Sequence, residues 1–389
     1  SSQSRGLGDV YKRQTQMAIQ KKSMENLQQN LVSSTFPSSI LMGFIFFGAG
    51  NIGDDLMIGG FSQALAQLKE KNRPQLYSFT QHDLASQKTR FPQISWSHTD
   101  EKQVSDPTQI ECWAGVGDTP FQLTSGTWCL DLLLSDLEEI KKFRQRVLVG
   151  IGAETEIKSR VEDFAAIANS FDKIYTRDEH STRILENWLK VKSDRLFTGS
   201  DLANISLPIL LANQTTEKKF ELGLIVAGDT LSKKDITEIG KFITTQTEQV
   251  AFIAGETRIA NYGERYIFRT LTRFPWSKVR KKATLQVPDY HSGSLYELIQ
   301  PIVECETILS TRYHGLLTAA WAGCKVAAIA RSSKVKALAQ VLGVPYCELP
   351  VTVEKLESLR KEATIVSKDL LESLKAVSYT HLRAHETET

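Results

Sequence analysis

Two stretches of this sequence set acids, bases and cations at spacings that chemistry can use, and the sharper is Thr307-Ile-Leu-Ser-Thr-Arg-Tyr-His-Gly315. An apolar strand delivers Arg312 and His314 to the start of a helix that runs on from Leu316. A separation of two residues puts both side chains on one side if the segment stays extended. Arginine presents a planar fork of donors matched to a carboxylate or phosphate, and a helix N-terminus adds its own N–H groups. Histidine donates a proton near neutral pH. With the hydroxyls of Ser310 and Thr311 beside them, these residues read as an anion site carrying its own acid. Arg331-Ser-Ser-Lys334, one strand later, repeats the layout with Ser332 and Ser333 between two cations. It is either a second wall of the same site or a plain serine N-cap.

The other stretch is Gly48-Ala-Gly-Asn-Ile-Gly53, which has the glycine spacing of a dinucleotide-binding loop between a strand and a helix. Asp54 and Asp55 argue against that use. They fall in the first helical turn, where a pyrophosphate needs bare N–H groups and positive potential. Gly50, Asn51 and Gly53 with the two aspartates read better as a cleft wall that orients a sugar diol or supplies a general base. The competing reading is a tight turn with a capped helix. Tyr290 and His291 read as ordinary loop residues, with a place in the cleft as the alternative.

An alternation of strand and helix must position these motifs. Leu41–Phe47 is an apolar run of strand length, and a helical spacing of apolar residues follows over Asp54–Glu70. Strand 146–149 precedes a helix over Ile157–Ala168, and strand 173–175 a helix over Glu179–Leu189. After Pro208–Lys219, rich in Asn, Gln, Thr and Lys, the alternation restarts with strand 222–227 and helix 231–245. It continues through strand 250–253, a helix over 257–273, strand 307–310, helix 315–322, strand 325–329 and helix 334–342. Apolar strands each followed by an amphipathic helix imply parallel sheets covered on both faces. The fold class expected is α/β, with two doubly wound Rossmann-like domains in a GT-B-like arrangement. Reactants in such a fold meet in the interdomain cleft, outside the carboxyl ends of the strands. The boundaries expected are 36–207 for the first domain, 208–219 for the linker, 220–350 for the second domain and 351–375 for a C-terminal helix. Residues 1–35 and 376–389 read as tails. The outermost residues at both ends resemble adapter-derived read-through peptides and are set aside.

Composition narrows the function classes. A net charge of +2, 41% hydrophobic and 24% charged residues describe a globular protein, with no Lys/Arg run dense enough for a nucleic-acid patch. Five scattered cysteines without a CxxC pair suggest inert thiols in a reducing compartment. No apolar run is long enough for a transmembrane segment. The expectation is a cytoplasmic protein, and a pI near 8 permits loose association with a membrane.

Four motifs in order bring a resemblance. Gly50-Asn-Ile-Gly-Asp-Asp55, Tyr175-Thr-Arg-Asp178 with Ser181, Thr198-Gly-Ser-Asp-Leu-Ala203 and Ser310-Thr-Arg-Tyr-His-Gly315 are similar to segments of the polysaccharide pyruvyl transferases, over roughly Leu41–Pro345. The resemblance implies phosphoenolpyruvate as donor substrate, a saccharide diol as acceptor, either free or lipid-linked, and no bound cofactor or metal. On that footing His314 is the acid, Arg312 the first cation for the donor, and Asp54 or Asp55 the residue that orients the acceptor. One departure stands out. Family members often carry an arginine just after the first strand of the second domain, where this chain has Ala227 and Gly228, and Arg258 is the substitute considered. The alternatives are a glycosyltransferase using a nucleotide-sugar donor, with Glu256 as a poor candidate for gripping the ribose, a non-catalytic glycan- or partner-binding relative, and a nicotinamide-dependent oxidoreductase.

Overall fold

The computed structural model describes residues 37–383, apart from 45, 102–109, 125, 213, 215, 229, 259–262 and 274–276. The leading segment 1–35 lies outside the described residues. Seven parallel strands make the first sheet: β1 (Ser39–Met42), β2 (Gln75–Thr80), β3 (Ile94–His98), β4 (Cys112–Val116), β5 (Gln145–Ile151), β6 (Lys173–Thr176) and β7 (Leu196–Thr198). Their order is β3-β2-β1-β4-β5-β6-β7. The helices that cover it are α1 (Ile52–Ala66), α2 (Leu84–Arg90), α3 (Trp128–Ile140), α4 (Val161–Asn169), α5 (Glu179–Leu189) and α6 (Ala203–Leu211).

The second sheet is built from β8 (Phe220–Ile225), β9 (Val250–Ile253), β10 (Ala283–Gln286), β11 (Cys305–Ser310), β12 (Lys325–Ala330) and β13 (Tyr346–Glu348) in the order β10-β9-β8-β11-β12-β13. The short β14 (Thr364–Ile365) adds antiparallel to β12. Around this sheet lie α7 (Lys233–Thr245), α8 (Glu264–Thr272), α9 (Ser277–Lys282), α10 (Leu295–Val303), α11 (Tyr313–Trp321), α12 (Ser333–Leu342), α13 (Val353–Glu362) and α14 (Lys368–Arg383). These are two Rossmann-like α/β halves in a GT-B-like arrangement. In each sheet the strand order reverses once, between β1 and β4 and between β8 and β11, and a doubly wound sheet binds ligands at that point.

The central strands carry apolar residues on both faces because helices cover both sides; every residue of β1 and β4 is buried. Helix α1 is buried on nearly every side, as its all-round apolar sequence requires. It packs against α6 of its own half and α10 of the other. Gly60 permits this approach, since a Cβ there would stand 1.9 Å from the Leu202 carbonyl oxygen.

Several expected elements shift. The linker was expected from Pro208, but α6 runs through that proline to Leu211, because the helix is anchored against α1 and α11. Of the helix expected over 257–273, the described residues form Glu264–Thr272, and 259–262 lie outside the described residues. The single C-terminal helix is instead α13, β14 and α14, and α14 continues to Arg383. Residues 376–383, expected as part of a tail, are therefore helical, with the Ser378 hydroxyl donating to the Asp201 carbonyl oxygen at 3.1 Å.

Candidate active site

The two switch points face one cleft lined by Asn51, Gly53 and Asp54 from the α1 end, Asp118, Thr119 and Arg177 from the first sheet, and Arg312, His314, Arg331 and Lys334 from the second. The expectation that Arg312 and His314 share one side fails. Arg312 is extended, but Tyr313 already begins α11, so the two side chains diverge towards different halves of the protein.

His314 crosses to the first half. Its Nε2 lies 3.3 and 3.2 Å from the two carboxylate oxygens of Asp201, which is buried just before α6 and accepts from the Ala203 N–H at 2.9 Å. Two acceptor oxygens at Nε2 require that nitrogen to carry hydrogen, which leaves Nδ1 facing Gly53. A Cβ on Gly53 would stand 2.1 Å from Nδ1, so glycine is what admits the ring. Burial alone would raise the Asp201 carboxyl, but the His314 ring and Arg177 outweigh it and hold the group below its ordinary range. Asp201 is thus a charged carboxylate in one half that orients the histidine of the other. Asp201→Asn keeps the shape and removes the charge. We expect kcat to fall about a hundredfold while the KM for the donor barely changes, since misplacing a reacting group by about 1 Å costs that much. A rise in KM at unchanged kcat would instead make Asp201 a binding residue.

Arg312 turns the other way. Its Nε donates to Glu264 Oε1, while Nη2 donates to Glu264 Oε2 at 3.0 Å and to Glu256 Oε2 at 3.1 Å. Both glutamates are buried, and Arg258 donates to the remaining Glu256 oxygen. The expected donor-gripping arginine is therefore largely spent on two carboxylates, and Arg258 is paired at the loop rather than standing in for a missing cation. The clamp holds 255–257 against the glycine loop: Thr257 N–H donates to the Gly50 carbonyl at 2.8 Å and Ile52 N–H to that of Gly255 at 3.2 Å. Gly50, at φ +91°, has room for no side chain, because a Cβ would meet Thr257 Oγ1 at 2.5 Å. Asn51 caps α1 by accepting from the Gly53 N–H. The glycine motif is thus a tight interdomain joint. Ser310 and Thr311 are also structural: both are fully buried, Ser310 Oγ bonds the Arg312 backbone, and Thr311 Oγ1 joins β11 to Ala227.

Arg177, Arg331 and Lys334 line the same cleft as Arg312. Arg177 is buried beside Asp178, its guanidinium 4.2 Å from the centroid of the Tyr313 ring, and it donates to Thr119 at 3.2 Å. Lys334 Nζ reaches across to Glu154 at 2.9 Å, and its environment lowers its proton affinity, by burial first and then by Arg177 and Arg331, with Glu154 pulling the other way. Ser332 sits at the N-cap position of α12 without making the cap bond. The Ser332 and Ser333 hydroxyl oxygens are buried and have no hydrogen-bond partner among the described residues. Of the two readings open for this segment, the N-cap does not form. A helix N-terminus carrying unused hydroxyls beside two cations suits an anion.

The two aspartates have separate fates. Asp54 lines the cleft with Asp118, whose φ of +62° holds it in a conformation unusual for a side-chain-bearing residue. Burial first, then the Asp118 and Asp55 charges, push the Asp54 carboxyl well above its ordinary range. Asp55 points away from the cleft, fully buried against Arg90 at 2.9 Å, with Gln87 at 3.3 Å. Arg90 in turn donates to the carbonyls of Tyr290 at 2.6 Å and Gly293 at 3.1 Å. Asp55 and Tyr290 are therefore interdomain packing, and His291 is an exposed partner of Asp83. Burial pushes the Asp55 carboxyl up to about 6, against the pull of Arg90, Tyr290 and Gln87. Between its unfolded value near 3.8 and about 6 the folded state keeps a proton that the unfolded chain has lost. Stability should therefore fall as pH rises through that window and level off above it, by about 3 kcal/mol for a shift of this size. Asp55→Asn should flatten that slope in denaturant titrations while lowering stability throughout, because Arg90 loses its carboxylate. An unchanged slope would contradict the assignment.

Sequence patterns assign no role to Asp118, Thr119, Glu154 or Asp201. Only Asp201 carried a signal, as part of Thr198–Ala203; the others are isolated residues whose importance lies in which loop they end.

The architecture is that of a two-domain α/β protein with a cleft at the two switch points. The polysaccharide pyruvyl transferase family model matches residues 51–333, and the chain belongs to that family. No curated protein matches the sequence. Among solved structures, a putative UDP-N-acetylglucosamine 2-epimerase from Listeria monocytogenes is 10% identical, with a TM-score of 0.61 over 92% of this chain and 99% of that one. The UDP-GlcNAc 2-epimerase from Neisseria meningitidis, bound to UDP-GlcNAc, is 12% identical with a TM-score of 0.61 over 90% and 100%. Anabaena HepE in complex with UDP-glucose is 11% identical with a TM-score of 0.53 over 90% and 93%. At such identities the likeness is one of fold.

Proposed function

We propose that the protein transfers pyruvate from phosphoenolpyruvate to a saccharide diol as a cyclic ketal, working in the cytoplasm on an acceptor that is a free or lipid-linked glycan. The observation that carries this reading is the convergence, in one cleft, of an Asp-oriented histidine with Arg177, Arg331 and Lys334. The three cations and the α12 N-terminus receive the donor's phosphate and carboxylate. His314 protonates the enol carbon, and the adjoining carbon becomes an oxocarbenium centre. One acceptor hydroxyl bonds to that carbon and its proton returns to His314. The carbon–phosphate oxygen bond then breaks, and the second hydroxyl closes the ketal as its proton leaves with phosphate. Asp54 and Asp118, both in the cleft lining, hold the diol, and Asp54, with its raised proton affinity, accepts and donates by turns.

A nucleotide-sugar donor is the second reading, and the fold shared with UDP-sugar enzymes favours it. In this chain the carboxylate considered for the ribose, Glu256, is held by Arg258 and Arg312. Thermal unfolding separates the readings, because a ligand that binds the folded state alone raises the midpoint. Phosphoenolpyruvate should raise it in the wild type and not in Lys334→Ala. A rise with UDP-N-acetylglucosamine alone would select the second reading.

A further inference from the structure

The surface of α8 and α9 carries a charge pattern that the transfer reaction does not use. Residues 265–282 contain seven basic side chains and no acidic one, in a chain whose total charge is +2, so the rest of the protein is net negative. The residues are spread over eighteen positions, which hides them from a search for basic runs; the fold gathers them. Arg269, Arg273, Lys278, Arg280 and Lys281 are all exposed. On α8, Tyr266, Arg269 and Arg273 follow one face at helical spacing, with Tyr266 42% exposed, while Ile267 and Leu271 on the opposite face are buried.

Other surface helices neutralise their cations locally: Lys141 with Glu138, Arg183 with Glu179, Lys241 with Glu238, and Lys375 with Glu372. Among the described residues, no ion pair uses a cation from 265–282. Glu264, the acidic residue that opens α8, is buried on Arg312. Like charges packed this closely repel one another, and an external anionic surface removes that cost.

The geometry points to this face as a docking surface for an anionic lipid bilayer, on which α8 and α9 lie without entering the hydrocarbon. An exposed tyrosine beside two arginines on one face of α8, with the cations of α9 following it, suits an interfacial contact. No described helix is long and apolar enough to cross a membrane, so the contact is peripheral. Arg273 lies one length of α8, about 14 Å, from the Glu264–Arg312 pair at the cleft wall. Docking there keeps the cleft within reach of a bilayer-borne acceptor. The docking does not depend on which donor the cleft takes, so either reading can fail without the other.

The test is co-sedimentation of the full chain with phosphatidylcholine vesicles, with and without about 30% phosphatidylserine, at low and high salt. Binding is expected to the anionic vesicles only and to weaken with salt. It should fall about a hundredfold in the quadruple variant Arg269→Glu, Arg273→Glu, Lys278→Glu, Lys281→Glu, which alters exposed side chains alone. The quadruple variant Lys141→Glu, Lys142→Glu, Arg183→Glu, Lys192→Glu, at exposed positions on the other half, makes the same change in net charge and should bind nearly as wild type. Equal loss in that control, or no binding by the wild type, overturns the proposal. So does displacement from the vesicles by single- or double-stranded nucleic acid at matched phosphate concentration, which would make nucleic acid the partner.

Discussion

Gly53→Ala is expected to abolish turnover by a factor of about a hundred or more while leaving the protein folded. The added methyl would occupy the position 2.1 Å from His314 Nδ1, and also lie 2.8 Å from Cγ and 3.0 Å from Cε1. Something must move. The α1 backbone is fixed by its cap at Asn51 and by the joint to Gly255 and Thr257, so the imidazole is the element that yields. A displaced ring loses Asp201 and its alignment with the donor carbon, and an error of about 1 Å at a reacting group costs roughly a hundredfold. At a helical position alanine is otherwise favoured over glycine by up to about 1 kcal/mol, so the unfolding midpoint should hold steady or change only slightly. The measurement is kcat alongside the denaturation midpoint. Full activity in Gly53→Ala would mean that His314 does not act from the position it occupies here.

The second large effect is on stability. Arg312→Ala leaves Glu264 and Glu256 buried without their shared cation, and removing one partner of a buried pair typically costs about 3–5 kcal/mol. The loss should appear in urea titrations with no ligand present, since the clamp belongs to the fold of the second half and to its joint with the glycine loop. Arg312→Lys should recover little, because an ammonium cannot bridge two carboxylates with a planar fork. Donor affinity should suffer more in Lys334→Ala than in Arg312→Ala once the latter is assayed at a temperature where it stays folded. A stable Arg312→Ala that fails to bind phosphoenolpyruvate would return Arg312 to the donor site.

The sequence disclosed the fold through its apolar strands: β9 and α5 begin and end where the spacing puts them, and both halves of the alternation are present. It also pointed to His314 and to the Arg331–Lys334 segment. It misled where one signal serves two purposes. Arg-x-His reads as a single anion site, yet the onset of α11 at Tyr313 splits the pair: both line the cleft, but Arg312 binds Glu256 and Glu264 while His314 binds Asp201. Asp54 and Asp55 are adjacent and alike, and the helical turn alone decides that one faces the cleft and the other Arg90. Glu154, Asp118 and Asp201 acquire their places only when the two halves meet, a relation that local periodicity does not carry. Pro208 reads as a breaker, but packing on both sides of α6 overrides it.

The most direct measurement of the central claim is proton and phosphorus NMR of the wild-type protein in deuterium oxide with phosphoenolpyruvate and an oligosaccharide pool rich in neighbouring diols. The account predicts a ketal methyl group carrying one deuteron from solvent, formed together with an equal amount of inorganic phosphate, and neither product with His314→Asn. Untouched phosphoenolpyruvate, with a UDP-sugar consumed or epimerised by the same preparation, would contradict it.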